Sequence, residues 1–192
     1  MMNKANILKI ITLVFLARPI MALPQSLPLT LSYFGETLVH PGVYAGSEIS
    51  IHENFLASLS IGTYLHYRHH RGAFVNADFS WRKTFSIGYS MEFGAGLGYL
   101  HTWSHGGTIY TVTDAGVVEE KPNYGFSSLM PKLNLNLLGW DFRKSHDIPF
   151  RAFSGIVLFG QYPYNQFMMP HFALQLGGTY YLNLNKENDH EK

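Results

Sequence analysis

The stretch "HFALQLGGTYYLNL", residues 171–184, shows the pattern that decides the fold. Large apolar side chains alternate with small or polar ones along most of its length. Because successive side chains of a β-strand point to opposite faces, this period of two predicts a strand with two chemically different surfaces. One face carries Phe172, Leu174, Leu176, Tyr180, Leu182 and Leu184, and the other carries His171, Gln175, Thr179 and Asn183.

The same alternation recurs along the chain in segments of roughly ten residues that are separated by turn residues. After residue 22 no stretch has the period of an amphipathic helix. Pro131 cannot donate to a strand ladder and is therefore expected at a bulge or a strand start. We predict eight strands, at about residues 27–37, 42–51, 55–67, 73–82, 84–102, 125–139, 149–160 and 171–184.

Two all-β architectures give a period of two. A soluble sandwich or lipocalin-like barrel buries its apolar face, whereas a membrane barrel turns that face to lipid. The polar face here is mostly Gly, Ser, Asn and Thr, which suits the narrow lumen of a small barrel. Aromatic residues also gather at the segment ends, as in membrane girdles. We therefore predict a transmembrane, antiparallel, up-and-down β-barrel, with girdle residues Tyr67, Trp81, Phe85, Tyr99, Trp103, Trp140, Phe150 and Tyr180.

The composition agrees with this prediction and excludes several functions. Charged residues are 14% of the 192 residues, against about 25% in ordinary soluble proteins. The net charge is +1 and no basic stripe is present, so nothing indicates nucleic-acid binding. Without cysteine the chain forms no disulfide, thiol site or cysteine-ligated metal centre. No cofactor is implied.

Residues 1–22 have the features of an export signal. Lys4 and Lys9 precede the apolar run "IITLVFLA" (10–17), and "IMA" (20–22) ends on a small residue. The run is shorter than the ~20 residues that span a bilayer as a helix. We expect cleavage before Leu23, with a simple membrane anchor as the alternative.

The eight strands also predict which connections lie on which side. An even number of strands places both termini on one side, and bacterial barrels have short periplasmic turns and longer external loops. Within 103–124, residues 106–120 are predicted to form a protruding hairpin turned at "DAG" (114–116). The predicted periplasmic turns are 52–54, 82–84 and 140–148, and the external connections include 68–72, 103–124 and 161–170.

In pattern and topology, residues 27–184 resemble the small eight-stranded outer-membrane barrels, such as the OmpA transmembrane domain and OmpX. The resemblance implies a place in the outer membrane of a Gram-negative cell. It also implies the bilayer, lipopolysaccharide and the outer-membrane assembly machinery as partners. Such barrels commonly end on an aromatic residue that the assembly machinery reads. Here a polar tail, "NKENDHEK" (185–192), follows the last strand, so "YYLNL" (180–184) would serve as an internal signal.

Strand parity places several charged side chains in the lumen of the predicted barrel. An eight-stranded barrel is just wide enough for its side chains to fill it, and charges in such a space must pair. The prediction is an internal polar network that plugs the barrel, and the alternative is a proton or ion path centred on Glu92. The inward-facing charges are Glu36, Glu48, Asp78, Arg82, Glu92 and Lys132. The glycines of "GAGLG" (94–98) would leave lumenal room for a bulky neighbour.

Most histidines fall in the external half of the predicted barrel. Imidazole is the commonest metal ligand and titrates near neutrality. A histidine-rich rim would suit zinc, copper or haem iron, with His66, His69, His70 and His171 as the candidate ligands. The alternative is that they are solvated loop residues. The external set is His40, His66, His69, His70, His101, His105 and His171.

The motif "HTWSH" (101–105) suggests acyl-transfer chemistry at the rim. Some small outer-membrane barrels modify lipid A, and they combine His with Ser and an acidic residue beside the lipid. His101, Ser104 and His105 are the candidates here. Acyl transfer also needs an orienting carboxylate, which Asp114 or Glu119 would supply only by folding back.

The preferred function is a non-enzymatic structural, adhesion or surface-binding barrel with specificity in residues 103–124 and 161–170. Residues 161–172, "QYPYNQFMMPHF", are expected to form an external loop that caps the barrel mouth. The alternatives are a lipid-active enzyme, a rim metal or haem site, and a small passive pore, which the narrow lumen disfavours. The sequence does not indicate the oligomeric state.

Overall fold

The computed structural model describes residues 26–35, 40–106, 108–164 and 167–183. Several sequence predictions therefore lie outside the described residues. They concern the export signal (1–22), Leu23, Glu36, Leu184 and the polar tail (185–192). Residues Leu27–Leu182 form one compact unit. Within the described part of the chain, no helix has the length and hydrophobicity to cross a bilayer.

Eight long strands close into a single antiparallel barrel, which confirms the predicted fold class. Each barrel strand pairs with its neighbours in sequence, and the first pairs with the last to close the ring. The barrel strands are β1 (Ser26–Gly35), β2 (Gly42–His52), β3 (Phe55–His66), β4 (His70–Thr84), β5 (Tyr89–Ser104), β8 (Phe126–Asp141), β9 (Phe150–Tyr164) and β10 (Phe167–Asn183). A separate pair is formed by β6 (Thr108–Val112) and β7 (Val118–Pro122), and a one-turn helix, α1 (Phe142–Ser145), precedes β9.

The two ends of the barrel differ in what they carry. We call the end where β1 begins and β10 finishes the terminal end. The β6–β7 pair is inserted between β5 and β8 at the opposite end, which we call the hairpin end. The pair is closed by a turn in which Thr113 N donates to Val117 O. The protruding hairpin predicted for 106–120 is thereby confirmed.

The strands at the hairpin end are longer than the sequence predicts. β4 begins at His70, which pairs with His66, so most of the predicted loop 68–72 is strand. The loop prediction for 161–170 is wrong, because β9 continues to Tyr164 and β10 begins at Phe167. Continued antiparallel pairing satisfies the backbone groups there. The prolines in this segment therefore do not break the strands.

Pro131 also departs from its expected position. It lies inside β8, opposite Leu97 of β5, rather than at a strand start. The register shift of the β8–β9 ladder occurs further on, between Leu135 and Leu138. A strand can hold a proline whose missing N–H is not needed for its ladder.

The outer surface of the barrel is an apolar band. Leu31, Ile61 and Leu176 are each more than 60% exposed. Soluble monomers rarely expose apolar patches larger than a few hundred Å², and a band of this kind is the lipid-facing surface of membrane barrels. Further exposed members of the band are Leu59, Phe79, Phe93, Leu97, Leu133, Leu158 and Phe172, and exposed girdle aromatics include Tyr67, Trp81, Phe85, Tyr99, Trp140 and Tyr180.

Three glycines of β5 make room in the lumen for polar side chains of β4. Gly98 pairs with Asn76 and Gly96 with Asp78. A Cβ at Gly98 would lie 2.6 Å from the carbonyl oxygen of Val75 and would overlap Asn76 Oδ1. The expectation that these glycines admit a bulkier neighbour is confirmed at this position.

Replacing Gly98 with alanine should therefore lower the free energy of unfolding by about 1–3 kcal/mol, the usual cost of overpacking. Urea titration of the detergent-folded barrel, followed by tryptophan fluorescence, measures the change. Ala95→Val, which adds volume on the exposed face of the same strand, should stay within about 0.5 kcal/mol. Equal losses for the two variants would contradict the lumenal overlap.

Candidate functional site

The structure places Glu48, Arg82 and Glu92 together in the lumen near the terminal end. Arg82 Nη1 and Nη2 donate to the two carboxylate oxygens of Glu48, each at 2.5 Å. Arg82 Nε donates to Glu92 Oε2 at 2.8 Å. A bidentate guanidinium–carboxylate pair is among the stronger and more directional ionic contacts. These side chains tie β2, β4 and β5 together across the lumen.

Arg151 of β9 is a further member that the sequence analysis missed. Its Nη2 donates to Glu92 Oε2 at 2.8 Å, and it is only 2% exposed. A signal was present, because Arg151 follows the girdle residue Phe150 and alternation therefore turns it inward. Glu92 thus accepts hydrogen bonds from two buried arginines.

A second ion pair lies further toward the hairpin end. Lys132 Nζ donates to Asp78 Oδ2 at 2.8 Å. Asp78 is buried, and the lysine side chain is 11% exposed. Together, the two ionic clusters contain three carboxylates and three cations, so their formal charges cancel. We call this set the lumenal network: Glu48, Asp78, Arg82, Glu92, Lys132 and Arg151.

Above the network, toward the hairpin end, a cluster of apolar side chains lies in the lumen. Phe34 lies at the centre of this cluster. The centroid of its ring is 5.0 Å from that of Phe74, 5.6 Å from that of Phe159 and 6.3 Å from that of Tyr44. This layer is not expected from the sequence, although Phe74 shares the inward parity of Asn76. We call the cluster the apolar plug: Phe34, Tyr64, Phe74, Leu100, Met130, Val157, Phe159 and Ala173.

The lumen holds little open space at the level of the lumenal network. A cavity of about 50 Å³ lies at the level of the network and is lined by polar side chains that include Asn134, Asn136 and Gln175. This volume has room for a small number of water molecules. The charged network and the apolar plug thus occupy two successive levels of the lumen with side chains.

Histidines cluster above the plug, at the hairpin end. The ring of His66 stacks on His40 at 3.7 Å and on His70 at 4.7 Å between centroids, and it meets His69 edge-on at 6.5 Å. His171 instead stacks on Phe159 of the plug at 4.7 Å. The structure thus brings His40 to His66, His69 and His70, and places His171 on the opposite side of the same cleft.

Ring contacts hold the histidine cluster together. Among residues 26–35, 40–106, 108–164 and 167–183, no three His, Asp or Glu side chains are arranged to hold a metal ion. Metal or haem binding by His66, His69, His70 and His171 stays a prediction.

The three residues of the "HTWSH" motif diverge. His101 and Ser104 lie on opposite faces of β5, because they are three residues apart on a strand. Ser104 pairs in the ladder with His70, and the backbone N of His105 donates to His69 O at 2.8 Å. The candidate set His101, Ser104 and His105 is therefore not brought together.

His101 instead contacts a serine that the sequence did not indicate. Its Nδ1 lies 2.9 Å from Ser127 Oγ on β8, and its Nε2 lies 3.0 Å from the carbonyl oxygen of Tyr124. A carbonyl only accepts, so Nε2 carries the proton and Nδ1 accepts from the serine hydroxyl. The hydroxyl of Tyr99 then donates to Ser127 Oγ at 2.6 Å. We call Tyr99, His101 and Ser127 the outward trio.

Basic and aromatic side chains stack on one another at the hairpin end of β3, β4 and β5. The guanidinium of Arg71 lies over the ring of Trp103 at 5.7 Å, and Arg68 lies over Tyr67 at 5.3 Å. The ring of Trp103 also meets His101 edge-on at 4.4 Å. Such stacking holds cations beside aromatic faces. This part of the rim therefore presents positive charge next to the apolar band.

Comparison with known proteins gives the fold and no closer relative. No family model matches the chain, and no curated protein matches its sequence. The N-terminal β-barrel domain of Pseudomonas aeruginosa OprF matches with a TM-score of 0.52 and 15% identity, over 81% of this chain and 97% of that chain. Neisserial surface protein A (NspA) matches with a TM-score of 0.53 and 8% identity, over 82% of this chain and 94% of that chain. The chain therefore has the fold of the small eight-stranded outer-membrane barrels.

Proposed function

We propose that this protein spans the bacterial outer membrane as a closed barrel and acts at its hairpin end as a surface-binding protein. The observation that carries the proposal is the filled lumen. A pore needs a continuous aqueous path, whereas here the lumenal network and the apolar plug occupy successive levels. If the lumen does not conduct, the function must be carried by the rim and the outer surface of the barrel.

Membrane insertion is supported by the outer surface. The exposed band of leucine, isoleucine and phenylalanine side chains has no other apolar partner among the described residues. Residues 1–22 would direct export, and β10, with Tyr180 and Leu182 exposed, would be read by the assembly machinery. The hairpin end would face the cell exterior, since both chain ends of such barrels lie in the periplasm.

Two measurements test this proposal together. The protein should fractionate with the outer membrane and migrate faster unheated than boiled on a denaturing gel, because a folded barrel resists the detergent. In planar bilayers the folded protein should show no stepwise conductance. Recovery in the soluble fraction would contradict membrane insertion. Regular conductance steps would instead favour the passive-pore alternative.

Anionic lipopolysaccharide is the partner that the rim suits best. Arg68 and Arg71 lie beside Tyr67 and Trp103, where cationic side chains would meet lipid phosphates while the rings remain at the interface. Arginine suits phosphate because its guanidinium offers several donors in one plane. Arg71 lies on the outward side of β4, where lipid would be in contact, and Arg68 lies in the turn between β3 and β4.

Removing both arginines should weaken binding of lipopolysaccharide. A basic residue near an anionic surface contributes about 1 kcal/mol, so Arg68→Ala with Arg71→Ala should raise the Kd about 30-fold. Fluorescence anisotropy of labelled lipopolysaccharide with the detergent-folded barrel measures the change. Lys83→Ala, a basic residue of β4 at the terminal end, is the matched control. Equal affinities for all three proteins would contradict this assignment.

The β6–β7 hairpin is the surface that suits a protein partner. Tyr110 and Val112 are each 71% exposed, and Val118 is 63% exposed. Alternation on paired strands places these three side chains on one face of the hairpin. Specificity in residues 103–124 therefore remains part of the proposal, whereas residues 161–170 extend the barrel wall.

A further inference from the structure

We propose that Ser127, activated by His101, is the nucleophile of an esterase site that cleaves acyl esters of membrane lipids. The site lies on the outward face of the barrel at the hairpin end. It rests on the proposed membrane insertion, since its substrate reaches it from the bilayer. The proposal gives the outward trio a chemical role that a surface-binding function does not use.

The hydrogen bonds within the trio run in the direction that activates a serine. Ser127 Oγ donates to His101 Nδ1 at 2.9 Å, and the opposite ring nitrogen donates to Tyr124 O at 3.0 Å. In serine hydrolases a carboxylate usually holds the tautomer of the base. Here a backbone carbonyl holds it, which leaves Nδ1 free to take the proton of the serine.

A hydrogen-bonded turn holds the carbonyl group of Tyr124 in place. The side-chain amide of Asn123 donates to Ser104 O at 2.8 Å and to Gly106 O at 3.0 Å, and its oxygen accepts from Gly125 N at 3.2 Å. Gly125 has a φ of +80°, and a Cβ there would lie 2.5 Å from His101 Nε2 and from Thr102 O. Glycine at this position therefore lets the imidazole dock against the turn.

Tyr99 supplies the second hydrogen bond to the nucleophile. Its hydroxyl donates to Ser127 Oγ at 2.6 Å, two residues before His101 on the same outward face of β5. This hydrogen bond fixes the position of the serine hydroxyl against the imidazole, so Tyr99 acts as a positioning residue for the nucleophile.

The position of the trio indicates the substrate class. Ser127 pairs with His101 across β5 and β8, and the neighbouring outward residue of β8, Leu129, belongs to the exposed apolar band. Trp103 and Arg71 lie on the other side. The trio therefore lies between an apolar surface and a basic, aromatic one. Acyl ester linkages of membrane lipids occupy the same depth, between the hydrocarbon and the phosphate-bearing headgroup.

The reaction balances without a further reagent. Ser127 Oγ attacks the ester carbonyl carbon as its proton moves to His101 Nδ1. The carbonyl–oxygen single bond of the ester then breaks, and the departing alcohol takes the proton from His101. Water, deprotonated by His101, attacks the acyl-serine. This step releases the fatty acid and restores the Ser127 hydroxyl.

The first test is covalent labelling of the full-length barrel, folded in detergent, by a fluorophosphonate probe. Wild type should be labelled at Ser127, and Ser127→Ala should lose the label. His101→Gln should slow labelling at least about 100-fold, the usual contribution of a general base. Ser128→Ala is the matched control, because Ser128 is the next residue on the buried face of β8 and its loss leaves the trio intact.

The second test is release of fatty acid, measured by mass spectrometry, from phosphatidylethanolamine vesicles and from purified lipid A. Both lipids carry acyl esters. The lipid from which wild type and Ser128→Ala release fatty acid, but Ser127→Ala does not, is the substrate. A protein that shows the gel migration of a folded barrel, yet is unlabelled or releases no fatty acid from either lipid, would overturn the esterase. A wild type that lacks this migration would overturn the proposed membrane function as well.

Discussion

Replacing Glu92 with glutamine is expected to lower the free energy of unfolding by about 3–5 kcal/mol, the cost of removing one partner from a buried ionic network. Glu92 Oε2 accepts from Arg82 Nε and from Arg151 Nη2, each at 2.8 Å. Glutamine keeps the shape of the side chain, removes its negative charge and replaces one acceptor oxygen with a donor amide group. The change therefore removes the ionic partner of both arginines without leaving a cavity.

Most of the loss in stability should come from Arg151. Arg82 keeps its bidentate contact with Glu48, whereas Arg151 loses its carboxylate partner and keeps a 3.4 Å hydrogen bond from its Nε to Ser90 Oγ and a contact with the Phe153 ring. Arg151 is 2% exposed, and a buried cation without a partner is strongly unfavourable. The lumen would also change from neutral to a net positive charge.

The free energy of unfolding is measured by titrating the barrel with urea in lipid vesicles, with the folded fraction monitored by the heat-dependent gel shift. Glu119→Gln is the matched control, because Glu119 pairs with Lys121 at 3.7 Å on the exposed hairpin. Exposed pairs contribute about 0–1 kcal/mol, so this control should hardly change the midpoint. A Glu92→Gln barrel as stable as the Glu119→Gln barrel would mean that the lumen is hydrated well enough to screen the network.

The fold was predictable because alternate residues of a membrane-barrel strand face two different environments, the lipid and the lumen. The inward parity of Asp78, Arg82 and Glu92 follows from alternation alone, and the structure places all three in the lumen. Strand ends were less predictable. In residues 161–170, prolines and polar residues indicate a loop, but the β9–β10 ladder continues there because antiparallel pairing is decided by the partner strand.

The outward trio could not be predicted from local sequence. His101 and Ser127 are 26 residues apart, and the β6–β7 hairpin lies between them. Their contact depends on the register of β5 against β8, and a shift of one residue would turn either side chain to the other face. The motif around His101 suggested Ser104, which is close in sequence but lies on the opposite face. Strand register, rather than spacing along the chain, decides which hydroxyl meets the imidazole.

The apolar plug was missed for a different physical reason. The general expectation for a barrel lumen is polar, and the inward residues of β4 and β5 in the terminal half satisfy it. Toward the hairpin end the same parity carries Phe74 and Leu100, which are 4% and 0% exposed. Apolar side chains can fill a narrow lumen when they pack against each other. Inward parity alone therefore gives the direction of a side chain and not its chemistry.

The plug gives the second large prediction. Replacing Phe34 with alanine should lower the free energy of unfolding by about 3–5 kcal/mol, as for other buried phenylalanines. Phe34 is 3% exposed and packs against Phe74, Phe159 and Tyr44. These three neighbours belong to three different strands, so their rings cannot close the space without moving the barrel wall. Most of the cost should therefore come from the cavity that remains.

An outward phenylalanine separates this cavity cost from the loss of apolar surface. Phe93 is 52% exposed on the outer face of β5, where lipid would fill the space left by Phe93→Ala. Urea unfolding in vesicles should thus show a clearly smaller loss for Phe93→Ala than for Phe34→Ala. Leucine at position 34, which restores much of the volume, should recover most of the stability. If Phe34→Ala and Phe93→Ala destabilise the barrel equally, the aromatic layer is not a packed core, and the hairpin end of the lumen must be hydrated instead.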